Sequence, residues 1–288
     1  MITRRQAFAL TLATALARPT LAASAQRQLR ALHKKTGGRL GVHILDSQSG
    51  RRIGYDDDSR YAMASTFKLP LAAALLWQVD RGAFPLTREL AIGQDDLLYN
   101  SPAVEAQLKA GKTAMSVQEL CAAIMIQSDN AAANVLLTGI GGPQTVTEFM
   151  RHIGDKQTRL DRRELELNSN IPGDPRDTTT PRAMVDAMLQ IFTQSVLKMA
   201  SRALLIDWMT RARTGFDRVR AGLPKGWIAG DKSGTGQNGA VNDLVITYPP
   251  DRRPIFIAVY MSESTQDIKV LTEAHAEIGK LVGREKWK

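Results

Sequence analysis

Ser65-Thr66-Phe67-Lys68, opening onto Leu69-Pro70-Leu71-Ala72-Ala73-Ala74-Leu75-Leu76, is the stretch around which the rest of the chain is read. A serine and a lysine three positions apart share one face of a helical turn. A serine hydroxyl is a weak nucleophile at neutral pH and needs a neighbouring base. An amine one turn away serves, provided burial or nearby cations suppress its charge. A helix N-terminus beneath Ser65 adds free N–H groups that would steady an oxyanion. Pro70 fits only if the helix starts near Ser65, because first-turn N–H groups have no intrahelical partner.

Alone the pattern is weak, since about one Ser-x-x-Lys is expected by chance in a chain of this length. Ser195-Val196-Leu197-Lys198 is a second match and reads as helix surface. Partner motifs decide between the two. Ser128-Asp129-Asn130 follows an apolar helical pattern; its hydroxyl can relay a proton to a leaving group and its amide can orient a substrate, although all three residues also favour helix caps. Lys232-Ser233-Gly234-Thr235-Gly236 ends a strand, where an ammonium and two hydroxyls would face a substrate carboxylate and glycine allows close approach to the backbone. Glu164-Leu165-Glu166-Leu167-Asn168 lies in a long irregular segment, and its carboxylate and amide four residues apart could hold a hydrolytic water. Gly234 to Gly239 also fits G-x-G-x-x-G, but a strand rather than a helix follows it. The dinucleotide reading therefore fails, and Asn238-Gly239 reads as a hairpin turn.

The 288 residues suffice for a sizeable core. Thr3-Arg4-Arg5, the apolar run Phe8 to Ala17 and Ala23-Ser24-Ala25 have the form of a secretory signal peptide over residues 1–25, exported by a twin-arginine or a Sec route to the periplasm. Its removal takes away three arginines and no acid, lowering the formal charge from +9 to +6. The remaining basic residues are spread along the chain as a solvated surface, which argues against a nucleic-acid partner. No run beyond the leader is apolar and long enough for a membrane span, so no stable membrane association is expected. Cys121, the only cysteine, sits in Leu120-Cys121-Ala122-Ala123-Ile124 as a buried inert thiol. The four histidines have no ligand spacing, so neither a metal nor another cofactor is expected.

Periodicity predicts a helix from Gln26 to Lys35 closed by Gly37-Gly38, and strands at Leu40–Ile44 and Arg52–Tyr55. Ser65 to about Arg211 is nearly all helical apart from the irregular piece Leu160 to Pro181. Strands return at Trp227–Ser233, Val241–Tyr248 and Ile255–Met261, before an amphipathic helix from Thr265 to Val282. The resulting fold class is α/β (α+β): one antiparallel sheet flanked by the terminal helices, with an inserted all-helical subdomain. Residues 26–60 and 212–288 form the sheet unit and 61–211 the helical one, with an Ω-type loop at about 160–178. A small-molecule site is expected in the cleft between them.

Together these motifs resemble the class A serine β-lactamases. The resemblance runs from about Gln26 to the end of the chain, with Ser128, Glu164 and Lys232 at the family's separations. Arg162 and Asp177 match the pair that pins its Ω-shaped loop. By that resemblance the chain hydrolyses β-lactams as a monomer. Ser65 attacks the lactam carbonyl, whose oxygen is held by the N–H groups of Ser65 and Thr235, and Lys68 or Glu164 takes the serine proton. Ser128 protonates the lactam nitrogen, while Glu164 and Asn168 position the deacylating water. Asn130 holds the substrate amide, and Lys232, Ser233 and Thr235 its carboxylate. Arg218 would supply the arginine that many relatives carry where this chain has Val241. Leu165 stands where the family usually has proline, leaving a cis peptide there open, and Asn100 occupies the slot of a wall aromatic, with Tyr99 before it. The alternatives are a cell-wall peptidase, which lacks the Glu164–Asn168 pair, and a β-lactam sensor acylated once.

Overall fold

The computed structural model describes residues 21–285 and Trp287. Most of the expected leader therefore lies outside the described residues. Helix α1 (Leu21–Thr36) runs into strands β1 (Arg39–Asp46), β2 (Arg52–Tyr55) and β3 (Tyr61–Ala62). The middle of the chain carries α2 (Lys68–Asp80), β4 (Glu89–Ala91), α3 (Pro102–Lys109), β5 (Ala114–Ser116), α4 (Val117–Ile126), α5 (Asn130–Gly139), α6 (Pro143–His152), β6 (Thr178–Thr179), α7 (Pro181–Thr193) and α8 (Met199–Thr210). A short α9 (Val219–Gly222) leads to β7 (Ile228–Thr235), β8 (Val241–Tyr248), β9 (Ile255–Ser262) and the closing α10 (Ile268–Arg284).

The main sheet has the order β2-β1-β9-β8-β7, and each neighbouring pair is antiparallel. Strands from both ends of the chain thus form one sheet, the arrangement expected from strand signals at the two ends. Strand β9 shows why both faces are covered. Ile255, Ile257, Val259 and Met261 pack with Leu271, Ala274 and Ile278 of α10 and Leu29 of α1. Phe256, Ala258 and Tyr260 face the other way, into a core shared with α2, α4, α7 and α8. Each such aliphatic side chain taken fully out of water contributes roughly 1.5–3 kcal/mol. Gly41 is needed where β1 crosses this second face, since a Cβ there would sit 2.5 Å from the Tyr61 ring and 2.8 Å from Pro181.

Three expectations need correction. Helix α1 begins at Leu21 rather than Gln26, and Ala25 is fully buried in the sheet core. The last residue of the expected leader therefore packs against the sheet. The middle of the chain contains two small sheets, β3 with β6 and β4 with β5. Strands of two or three residues are too short to show a period-two pattern. Ser195-Val196-Leu197-Lys198 lies in the turn between α7 and α8, not on a helix, and its end is held by Asp80 accepting from Lys198 N–H.

Candidate active site

The polypeptide reaches Ser65 through a tight turn. A single 3-10 turn spans Ala64–Phe67, and α2 follows at Lys68, which leaves Pro70 in the first turn as the sequence requires. Thr66 donates to Met63 O through its N–H at 3.2 Å and its Oγ1 at 2.7 Å, closing the turn. Ala64 has φ +44°, a left-handed value that costs a residue with a side chain. Gly234 of β7 lies against the same turn, since a Cβ there would come within 3.1 Å of Ser65 N.

Lys68 is fully buried and its Nζ is the hub. It lies 3.0 Å from Ser65 Oγ, 2.9 Å from Glu164 Oε1 and 2.6 Å from Asn130 Oδ1. It also reaches Ser128 O at 2.9 Å and Ser128 Oγ at 3.3 Å. Burial pushes the Lys68 amine below the ordinary lysine value, while the charge of Glu164 opposes that shift. Ser65 Oγ lies 3.5 Å from Glu164 Oε1, and Asn168 Nδ2 donates to Glu164 Oε2 at 2.6 Å. Asn168 Oδ1 is buried without a partner among the described residues.

Glu164 is aimed by two flanking contacts. Asn134 Nδ2 donates to Glu164 O at 2.9 Å, and Asn134 Oδ1 accepts from Glu164 N at 3.0 Å. The Glu164–Leu165 peptide, left open by the sequence, is cis. The surrounding loop is pinned as expected. Arg162 Nε meets Asp177 Oδ2 at 2.5 Å, and Asp177 Oδ1 accepts from the N–H groups of Asp161 and Arg162 at 2.7 and 2.9 Å. The loop is tied to the β7–β8 hairpin by Asn170 Nδ2, which donates to Gln237 O and Asn238 O. The hairpin tip has left-handed φ at Asn238 and Gly239, as the turn reading anticipates.

Ser128 joins the two lysines. Its Oγ lies 3.1 Å from Lys232 Nζ, which also donates to Ser233 O at 2.8 Å. Burial, aided by the charge of Lys68, lowers the Lys232 ammonium to about 7. Asp129 caps α5 through Ala132 N and also accepts from Ala103 N at the start of α3, so the cap reading of Ser-Asp-Asn holds for its middle residue. Asn130 Nδ2 donates to Tyr99 O at 2.7 Å, and Tyr99 itself is 84% exposed at the cleft mouth. Asn100, with φ +58°, also lines the cleft and donates to Ser128 O.

Arg218 comes to the same place from the helical side. Its Nη1 donates to Gly234 O at 2.8 Å and Asn242 O at 2.5 Å, and its Nη2 to Thr235 Oγ1 at 2.7 Å. Ser233 Oγ is held by Thr214 Oγ1 at 2.7 Å. The ten candidate residues therefore gather around one cleft of about 370 Å³, most of them lining its wall and the two lysines and Glu164 set just behind. Asn134 and Thr214 were missed. Asn134 is four residues beyond Asn130 and so one turn along the same face of α5, which is the only signal it offers. Cys121 is buried away from the cleft and its thiol is pushed up by burial.

The β-lactamase enzyme family model matches residues 24–285 of the chain. Over 256 residues the chain is 40% identical to β-lactamase OXY-2 of Klebsiella oxytoca, covering 89% of this chain and 87% of that protein. It is 39% identical over 259 residues to β-lactamase CTX-M-97 of Escherichia coli, with coverage of 90% and 88%. An ancestral (GNCA) class A β-lactamase structure is 48% identical, with a TM-score of 0.87 over 90% of this chain and 98% of that one. A β-lactamase structure from Xanthomonas campestris pv. campestris is 41% identical, with a TM-score of 0.89 over 92% and 98%.

Proposed function

The chain belongs to the class A β-lactamases and is a β-lactam hydrolase, and on that premise we propose how its residues divide the work. Ser65 Oγ attacks the lactam carbonyl, and its proton passes to the Lys68–Glu164 pair, with Lys68 Nζ in direct contact. The ring C–N bond breaks as Ser128 Oγ, placed between the two lysines, delivers a proton to the nitrogen. Developing charge on the carbonyl oxygen is met by the N–H groups of Ser65 and Thr235. Glu164 then takes a proton from water, which attacks the ester and frees Ser65. Lys232, Ser233, Thr235 and Arg218 form the carboxylate end of the cleft, and Asn130 holds the substrate amide.

One observation carries the hydrolytic half of this reading. Glu164 contacts Lys68 at 2.9 Å and Asn168 at 2.6 Å, while the buried Oδ1 of Asn168 lacks a protein partner among the described residues. A carboxylate beside an unused buried acceptor supports a water-activating pair, which a cell-wall peptidase or a one-shot sensor would not need. The test is a chromogenic cephalosporin in large excess. Sustained colour development is expected; a burst that stops at one equivalent would overturn the reading.

We further propose that the enzyme works as a monomer in the periplasm after removal of its leader, and that residues 26–60 with 212–288 and residues 61–211 form its two units. N-terminal sequencing of periplasmic protein should find a start near Gln26, and a start at Met1 would sink the export reading. Among the described residues no helix is long and apolar enough to cross a membrane.

A further inference from the structure

The turn that carries Ser65 is held from behind by a residue absent from every motif above. Asn242, in β8, is completely buried. Its Nδ2 donates to Ala62 O at 2.9 Å and Met63 O at 3.0 Å, and its Oδ1 accepts from Met261 N at 3.2 Å. The two carbonyls it grips immediately precede Ala64, whose φ of +44° is left-handed. A residue with a side chain persists in that region only where its surroundings enforce it. On β7 the residue paired with Asn242 is Gly234, packed so closely on Met63 O and Ser65 N that it can offer no side chain as a prop. Thr66 closes the turn locally on Met63 O, and its support from the sheet falls on Asn242. Its own carbonyl also accepts from Arg218 Nη1 at 2.5 Å. One residue of the central sheet thus touches both the nucleophile's turn and the arginine at the far end of the cleft.

We propose that Asn242 is a positioning residue that holds the strained Ala64–Ser65 turn in register for attack on the lactam carbonyl. The proposal rests on the reading of Ser65 as nucleophile. Without the side-chain amide, Ala62 O and Met63 O lose their tie to the sheet, Met63 O keeping only the local bonds from Thr66 N–H and Oγ1. Ala64 is then free to relax to negative φ, carrying Ser65 Oγ and N–H away from the substrate. Asn242 has no contact with the substrate itself, so the loss falls on the chemical step and not on initial binding.

The test measures the acylation rate constant and the Kd of the preceding noncovalent complex by stopped flow, with a penicillin, well below Tm. Asn242→Ala should acylate about tenfold to a hundredfold more slowly, with Kd within about threefold of wild type. Glycine adopts the left-handed region without steric cost, so the double variant Ala64→Gly/Asn242→Ala should recover most of the lost rate. Unchanged acylation with only a lower Tm would reduce Asn242 to a scaffold residue and overturn the proposal, as would a change confined to Kd. If Asn242→Ala does not fold, the double variant decides: a folded protein acylating within about threefold of wild type supports the proposal, and a slow or unfolded one overturns it. Wild-type protein that forms no ester on Ser65 would instead defeat the nucleophile assignment itself.

Discussion

Raising the pH through neutrality should weaken capture of carboxylate-bearing substrates, and Lys232 is the reason. Its ammonium is fully buried between Ser128 Oγ and Ser233 O, and burial with the nearby Lys68 charge lowers it to about 7 from 10.5. In the free enzyme the charge is thus lost as pH rises above 7. If the charged form is needed to bind, kcat/KM falls about tenfold per pH unit beyond that point, roughly a hundredfold by pH 9. A bound carboxylate about 4 Å away interacts with the ammonium by about 4 kcal/mol at an effective dielectric of 20. That raises the pKa in the complex by about three units, so kcat should stay flat to about pH 10. The same depression has a sign for stability. Below pH 7 the unfolded and folded states are both protonated and the full cost of burying the charge, about 5 kcal/mol, is present; between 7 and 10.5 only the unfolded state holds the proton, and the cost fades as pH rises. The assay is kcat and KM against pH for a penicillin and for its carboxyl methyl ester. A kcat/KM that stays level to pH 9.5, or an ester that loses activity in parallel with the acid, would refute the role given to Lys232.

Arg218→Ala should cost about tenfold to a hundredfold in kcat/KM, largely in KM, because a charged hydrogen bond is worth about 1.5–3 kcal/mol. It should also lower Tm, since the carbonyls of Gly234 and Asn242 lose their buried donor. Arg220→Ala, which breaks the 2.6 Å pair with fully buried Asp231, should cost about 3–5 kcal/mol of stability with KM little changed; the reverse pattern would reassign the carboxylate partner. Asp177→Ala takes the acceptor from two N–H groups and leaves Arg162 only its 3.8 Å pair with Asp174. Its stability should fall by about 3–5 kcal/mol, and its deacylation should slow more than its acylation; equal slowing of both steps would show that the loop does not aim Glu164.

Much of the site was legible because its chemistry needs particular residue types at fixed local spacing. Ser65 and Lys68 face each other through three positions of one turn, and Glu164 and Asn168 through four. The sheet was legible from strand signals at both ends of the chain, Leu40–Ile44 and Arg52–Tyr55 at one and Val241–Tyr248 and Ile255–Met261 at the other. Residues that act by long-range contact left no local trace. Asn134, Thr214 and Asn242 are ordinary polar residues until the fold brings them to Glu164, Ser233 and the Ser65 turn. Arg218 lies at the cleft, and its hydrogen bonds to two strand carbonyls could not be read from its neighbours in sequence. The start of α1 was drawn too late because Ala23-Ser24-Ala25 reads as a cleavage site, and the contact that buries Ala25 against the sheet leaves no local trace in the sequence.

The central claim is that Ser65 carries the acyl group and Glu164 drives its release. Mass spectrometry of Glu164→Ala mixed with a penicillin tests both halves at once. With Ser65 and the buried Lys68 in place, acylation should proceed. Without the carboxylate 2.6 Å from Asn168, the ester should persist. The expected spectrum shows a stable one-equivalent adduct that peptide mapping locates on Ser65, where wild-type protein shows none at the end of the reaction. An adduct on another residue, or a Glu164→Ala protein that stays unmodified while turning over at the wild-type rate, would contradict the account.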